Sequence, residues 1–104
     1  MKDIIKQTIK TIFEREGVKV LKIILFGSRA RGDYTRGSDW DLLVVVDWNL
    51  SRVEKIKLGH LVRKELANQL IPCDILIRSL DEIEQRKQVI GSVIKTAITE
   101  GVCL

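Results

Sequence analysis

The sequence predicts an α/β (α+β) fold: a small mixed β-sheet with helices packed on it. Three observations predict it. Val20–Phe26 and Trp40–Val46 are apolar, β-branched runs of strand length. Residues 2–16 and 51–70 carry apolar side chains at helical spacing. Ser51 with Glu54, and Ser79 with Glu82, spell the S-x-x-E of a helix capping box. The 104 residues suffice for one domain, taken as residues 1–104.

In chain order, Ile4, Ile5, Thr8, Ile9, Ile12 and Phe13 form one stripe with charges between them, an amphipathic helix that Gly17 is placed to end. Val20–Phe26 follows as a strand closed by Gly27. Residues 28–38 are too polar and glycine-rich for a long regular element, though a helical turn fits Ser28–Arg31. Trp40–Val46 is the second strand, and its near-continuous hydrophobicity calls for cover on both faces. The Ser51 box opens a helix that is expected to bury Val53, Ile56, Leu61, Val62 and Leu66 and to stop before Pro72. Residues 73–77 read as a short third strand, and residues 80–100 as a helix bent near Gly91 and ended by Gly101.

Composition narrows the function. Hydrophobic residues make up 45% and charged residues 31%, a globular balance that argues against disorder. Residues 1–36 hold nine Lys/Arg against four acids, so the basic excess lies at the front and would attract phosphate. Aromatic residues are only 5%, which leaves few stacking platforms for nucleic acid and argues against it as the direct substrate. Cys73 and Cys103 stand in no metal-ligand spacing and read as reduced thiols of a cytoplasmic protein. Lys6 and Lys10 interrupt the N-terminal apolar pairs, so neither a signal peptide nor a membrane span is expected.

The chemistry concentrates in residues 26–46, "FGSRARGDYTRGSDWDLLVVV". Side chains alternate along a strand, so Asp39 and Asp41 project to the same side, their Cα atoms roughly 6.5–7 Å apart. Two carboxylates at the mouth of a core strand repel, and a bound Mg²⁺, which takes oxygen ligands, would relieve that. Asp74, near the start of the third strand, supplies a third carboxylate if that strand lies beside the second. Three such acids suit one or two divalent ions engaged in phosphoryl transfer, with Asp74 also placed to take a proton from an attacking hydroxyl. The Gly27-Ser28 turn directly after a strand offers backbone N–H groups and a hydroxyl to a phosphate, and Arg29, Arg31 and Arg36 add cationic forks. Gly27 to Gly32 also spells G-x-x-x-x-G, but Asp33 and Tyr34 stand where a P-loop needs Lys and Ser/Thr.

Gly27-Ser28, ten intervening residues, then Asp39-Trp40-Asp41 match the G-S-x(10)-D-x-D pattern. On this motif the chain resembles the minimal nucleotidyltransferase (MNT) group of the DNA polymerase beta-like nucleotidyltransferase superfamily. Element order, Asp74 within "CDILI", and the closing "IGSVIKTAITEGVCL" extend the resemblance over nearly the whole chain. It implies the polymerase beta-like fold, Asp39, Asp41 and Asp74 as catalytic metal ligands, and Gly27 and Ser28 at the β/γ-phosphates of a nucleotide, with Arg29 and Arg31 as further phosphate candidates. The activity implied is Mg²⁺-dependent transfer of AMP from ATP to a hydroxyl side chain of a partner protein. The partner implied is a HEPN-family ribonuclease toxin, bound in a hetero-oligomer and neutralised by this chain as antitoxin. The alternative is a non-catalytic antitoxin that masks its HEPN partner by complex formation alone.

Overall fold

The computed structural model describes residues 1–86 and 92–104. In order, the elements are α1 (Lys2–Arg15), β1 (Val20–Phe26), α2 (Ser28–Arg31), β2 (Trp40–Val46), α3 (Arg52–Asn68), β3 (Cys73–Ser79), α4 (Leu80–Arg86), α5 (Val93–Glu100) and β4 (Val102–Cys103). The four strands form one mixed sheet in the order β3-β2-β1-β4. β2 is antiparallel to β1 and parallel to β3, and β4 is antiparallel to β1.

The sheet buries both faces, which accounts for the unbroken apolar run of β2. On one face Leu25, Leu42, Val44 and Val46 pack against Ile5, Ile9 and Phe13 of α1 and Val62 and Leu66 of α3. On the other, Ile24, Leu43 and Val45 meet Ala97 of α5, with Ile83 of α4 against them. α4 and α5 have only seven and eight residues, so their cover is smaller than that of α1 and α3. Among the described residues no helix is long and apolar enough to cross a membrane.

α1 ends where its sequence calls for it. Gly17 takes φ +79, and the N–H groups of Gly17 and Val18 donate to Glu14 O and Phe13 O at 3.0 and 2.8 Å. α3 opens on the expected box: Glu54 N–H donates to Ser51 Oγ at 3.1 Å, and Ser51 N–H to Glu54 Oε1 at 3.0 Å. The second box, Ser79 with Glu82, forms in the same way at the start of α4. There Ser79 Oγ also donates to Asn49, and Lys55 pairs with Glu82.

Several expectations change. The third strand runs two residues beyond the expected 73–77, to Ser79, which pairs with Val46. Val53 and Ile56 are 76% and 57% exposed, not buried, and Leu61 is only half-buried. The buried stripe of α3 is Leu58, Val62 and Leu66, and Ile56 lies about 200° round the helix from Leu58. α3 stops at Asn68, because Leu70 turns left-handed (φ +62) and closes a Schellman-type end, with Ile71 N–H donating to Leu66 O at 2.9 Å. The continuous helix over residues 80–100 is instead α4 and α5. Ser92 caps α5 by accepting from the N–H groups of Ile94 and Lys95, while the bend expected near Gly91 falls outside the described residues. The chain beyond Gly101 forms β4, which pairs Cys103 with Ile24 and Val102 with Leu25. A two-residue strand is too short to carry a periodic signal.

Candidate active site

The mixed topology brings three strand ends to one place. The C-terminal end of β1 and the N-terminal ends of β2 and β3 share one end of the sheet, with Phe26 in register with Asp41 and Asp41 with Asp74. Residues paired across strands point to the same face, so Asp41 and Asp74 stand side by side, on strands about 4.8 Å apart. Their face is the one that α4 and α5 cover only in part. Asp39 precedes β2 and is exposed, as is Asp74; Asp41 is half-buried.

The Gly27-Ser28 turn abuts these acids. Gly27 adopts φ +74 with ψ −158, a conformation open essentially to glycine alone. A Cβ at this position would lie 2.2 Å from Asp41 Oδ2 and 3.1 Å from its Cγ. The carboxylate therefore sits over the bare glycine backbone. Gly27 O accepts from the N–H groups of Ala30 and Arg31, each at 3.1 Å, which starts α2. The N–H groups of Ser28 and Arg29 precede the first helical bond and have no helical carbonyl to receive them.

Burial first, then the charges of Asp74 and Asp39, hold the Asp41 carboxyl above the usual carboxylate range, and Arg31 draws it part of the way back. These side chains thus act on one another electrostatically. Arg31 also pairs with Asp33 at 3.3 Å in an exposed position. As the acids stand, no three His, Cys, Asp or Glu side chains among the described residues are drawn together closely enough to cage a metal ion. Uncompensated carboxylates repel, and those of Asp39 and Asp74 face water rather than each other's oxygen atoms. The donor set fits a hard divalent cation: it is all oxygen, it is anionic, and its mutual repulsion is what such a cation cancels.

Arg29 occupies a place the motif alone does not foretell. Its guanidinium stacks on the rings of Tyr34 and Trp40, 4.5 and 4.6 Å from their centroids. Nε and Nη2 donate to Ser38 O at 3.2 and 3.0 Å, and Nη2 also to Arg36 O at 3.2 Å. Its partners are thus loop carbonyls and two aromatic faces. The sequence places Trp40 opposite the aspartates, and it is buried there. Its stacking on Arg29, eleven residues earlier, has no periodic signature in the chain.

Comparison with known proteins agrees with this geometry. The model of the nucleotidyltransferase domain family matches residues 5–100. A Methanocaldococcus jannaschii protein, provisionally named a protein adenylyltransferase, is 49% identical over 43 residues, which is 41% of this chain and 43% of that relative. The crystal structure of a toxin–antitoxin pair with AMP-PNP contains a chain that is 22% identical, with a TM-score of 0.59 over 93% of this chain and 69% of that one. The complex of a tri-AMPylated Shewanella oneidensis HEPN toxin with its MNT antitoxin gives 18% identity and a TM-score of 0.60, over 99% of this chain and 71% of that one. At such identities the two structures speak for the fold. The family match runs through β1, α2, β2 and β3, the elements that build the site, and this chain belongs to the nucleotidyltransferase domain family.

Proposed function

We propose that this chain transfers AMP from ATP, with one or two Mg²⁺ ions, to a hydroxyl side chain of a protein partner, and so acts as the cytoplasmic antitoxin of a HEPN-type ribonuclease toxin. Residues 1–104 serve as one catalytic domain in this proposal. The observation that carries it is the contact between the Gly27 backbone and the Asp41 carboxylate. It joins a phosphate-gripping turn to an acidic pair of which Asp41 is in register with a third acid, Asp74. Names given to relatives support the choice of acceptor: a protein adenylyltransferase in one case, an AMPylated toxin with its antitoxin in another.

In this proposal Gly27, Ser28 and Arg31 hold the β/γ-phosphates, and Asp39, Asp41 and Asp74 hold the cation. Bound Mg²⁺ would neutralise phosphate charge and favour departure of pyrophosphate. The acceptor oxygen attacks the α-phosphorus, the bond to the bridging oxygen of the β-phosphate breaks, and pyrophosphate leaves. Asp74 takes the hydroxyl proton. Its exposed position leaves room for an acceptor carried on another protein.

The test is incubation of the protein with labelled ATP, Mg²⁺ and a HEPN partner. Label is expected on the partner, and replacing both Asp39→Asn and Asp41→Asn is expected to abolish it. Label transfer that survives the double substitution would refute the site. The alternative, a non-catalytic antitoxin that masks its partner, draws on the exposed apolar side chains of Trp48, Val53 and Ile56. Undiminished neutralisation by the double variant would favour it.

A further inference from the structure

We infer that Arg29 is a positioning residue that fixes the spacing between the phosphate-gripping turn and the acidic pair, a role that rests on the transferase function proposed above. The two halves of the site are separated by a loop with little regular structure. Residues 32–39 contain no helix or strand, and 31–37 are all exposed. Such a segment, left to itself, samples many conformations. Asp39 is at its far end, so the loop's disorder would become disorder of a proposed metal ligand.

One side chain closes this span. Arg29 belongs to α2, one residue after Ser28, and its Nε and Nη2 both reach Ser38 O, the carbonyl immediately before Asp39. A guanidinium that donates from two nitrogens to one carbonyl has its direction set as well as its distance. The rings of Tyr34 from the loop and Trp40 from β2 both lie against it. Trp40 is a firm support: it is buried, and its N–H donates to Pro72 O at 3.0 Å, the link that starts the β2–β3 pairing. Ser38 is also held from the loop side, donating its N–H to Thr35 O at 3.1 Å and accepting the Thr35 N–H on Oγ at 3.0 Å. The carbonyl that Arg29 grips therefore belongs to a turn already made. Arg29 links that turn to α2, and Trp40, its platform, is flanked by Asp39 and Asp41 in the chain.

Lysine would keep the charge but not the fork or the flat cation, so Arg29→Lys separates this role from a general need for positive charge. Arg36→Ala is the comparison. It removes one charge from the same loop but keeps the backbone carbonyl that Arg29 uses. Three measurements on the folded variants read the inference: hydrogen exchange, Mn²⁺ affinity and the KM for ATP in label transfer. In Arg29→Lys, hydrogen exchange of the Thr35 and Ser38 amides, the two that the loop turn holds, is expected to quicken about tenfold, as for loss of the forked charged hydrogen bonds. Affinity for Mn²⁺, read by electron paramagnetic resonance of the free ion, is expected to fall about tenfold as Asp39 loses its fixed place. Arg36→Ala is expected to match the unsubstituted protein in exchange and in affinity.

Unchanged exchange in Arg29→Lys would overturn the inference, whatever happens to catalysis. Faster exchange with unchanged Mn²⁺ affinity would also overturn it, because the loop would then be held without consequence for the acids. So would a rise confined to the KM for ATP, which would return Arg29 to the phosphate side. Failure of the unsubstituted protein to bind Mn²⁺ would sink the transferase proposal itself, and Arg29's role with it.

Discussion

Replacing Gly27 with alanine puts two separable strains on the site. The first is in the backbone: φ +74 with ψ −158 lies where an L-residue costs on the order of 1–3 kcal/mol. The second is steric, because the new Cβ would stand 2.2 Å from Asp41 Oδ2. That oxygen ends a short side chain whose Cγ and Cβ lie only 3.1 and 3.3 Å away, so the whole carboxylate must swing off the turn. Stability bears mainly the first cost. For a domain of this size that lowers Tm by about 4–8 °C per kcal/mol. Activity bears the second. Displacing a reacting or ligating group by about 1 Å costs on the order of a hundredfold in rate. Gly17→Ala separates the two effects, since Gly17 has φ +79 but open space where a Cβ would go. It is expected to lose about 1 kcal/mol and keep AMP transfer. Thermal unfolding and label transfer, measured on both variants, decide the matter. Equal activity in Gly27→Ala and Gly17→Ala would refute the claim that the turn and Asp41 are in contact.

Asp41→Asn is expected to abolish transfer yet raise stability at neutral pH. Asp41 titrates above its unfolded value, so the native fold prefers it neutral. Its charge weakens the fold above the folded pKa and has no effect once pH is below the unfolded value of about 3.9. The gain should therefore fade in acid, and it should not exceed about 1 kcal/mol, because solvent screens a part-exposed group. A variant less stable than the unsubstituted protein at pH 7 would contradict this. Leu70→Gly is expected to add about 1 kcal/mol by relieving the left-handed end of α3, at a side chain 88% exposed; denaturant unfolding reads it. Burial pushes the Cys73 thiol up to about 11, while Cys103 is exposed. Iodoacetamide at pH 7.5 should therefore modify Cys103 first, as peptide mass spectrometry would show, and equal rates at the two thiols would count against a raised Cys73 thiol.

Local chemistry was legible wherever it is written in adjacent residues. β1, α2 and β2 begin and end at the residues the sequence indicates, because Gly27, Gly32 and the β-branched runs set those boundaries through backbone preference. Both capping boxes form because each requires only a serine and a glutamate three residues apart. The stripe of α1 was legible, but for α3 the sequence does not fully carry which side meets the sheet. Val53 and Ile56 look like core by hydrophobicity, but α3 turns Leu58, Val62 and Leu66 inward, and only the packing of α1, α3 and the sheet selects that stripe. β4 escaped notice for a related reason, since a strand of two residues exists only because β1 offers it an edge.

By itself the sequence determined the motif: a glycine-serine turn, two aspartates that strand alternation puts on one side, and a third in a run of its own. Only the tertiary structure decided that Asp74 stands in register with Asp41, that the Asp41 carboxylate rests on the Gly27 backbone, and that Arg29 turns into the loop against Tyr34 and Trp40. The physical reason is separation along the chain. Alternation and capping act over one to four residues, whereas strand pairing, steric contact and stacking join residues five to thirty-three positions apart, and those meetings exist only once the chain has folded.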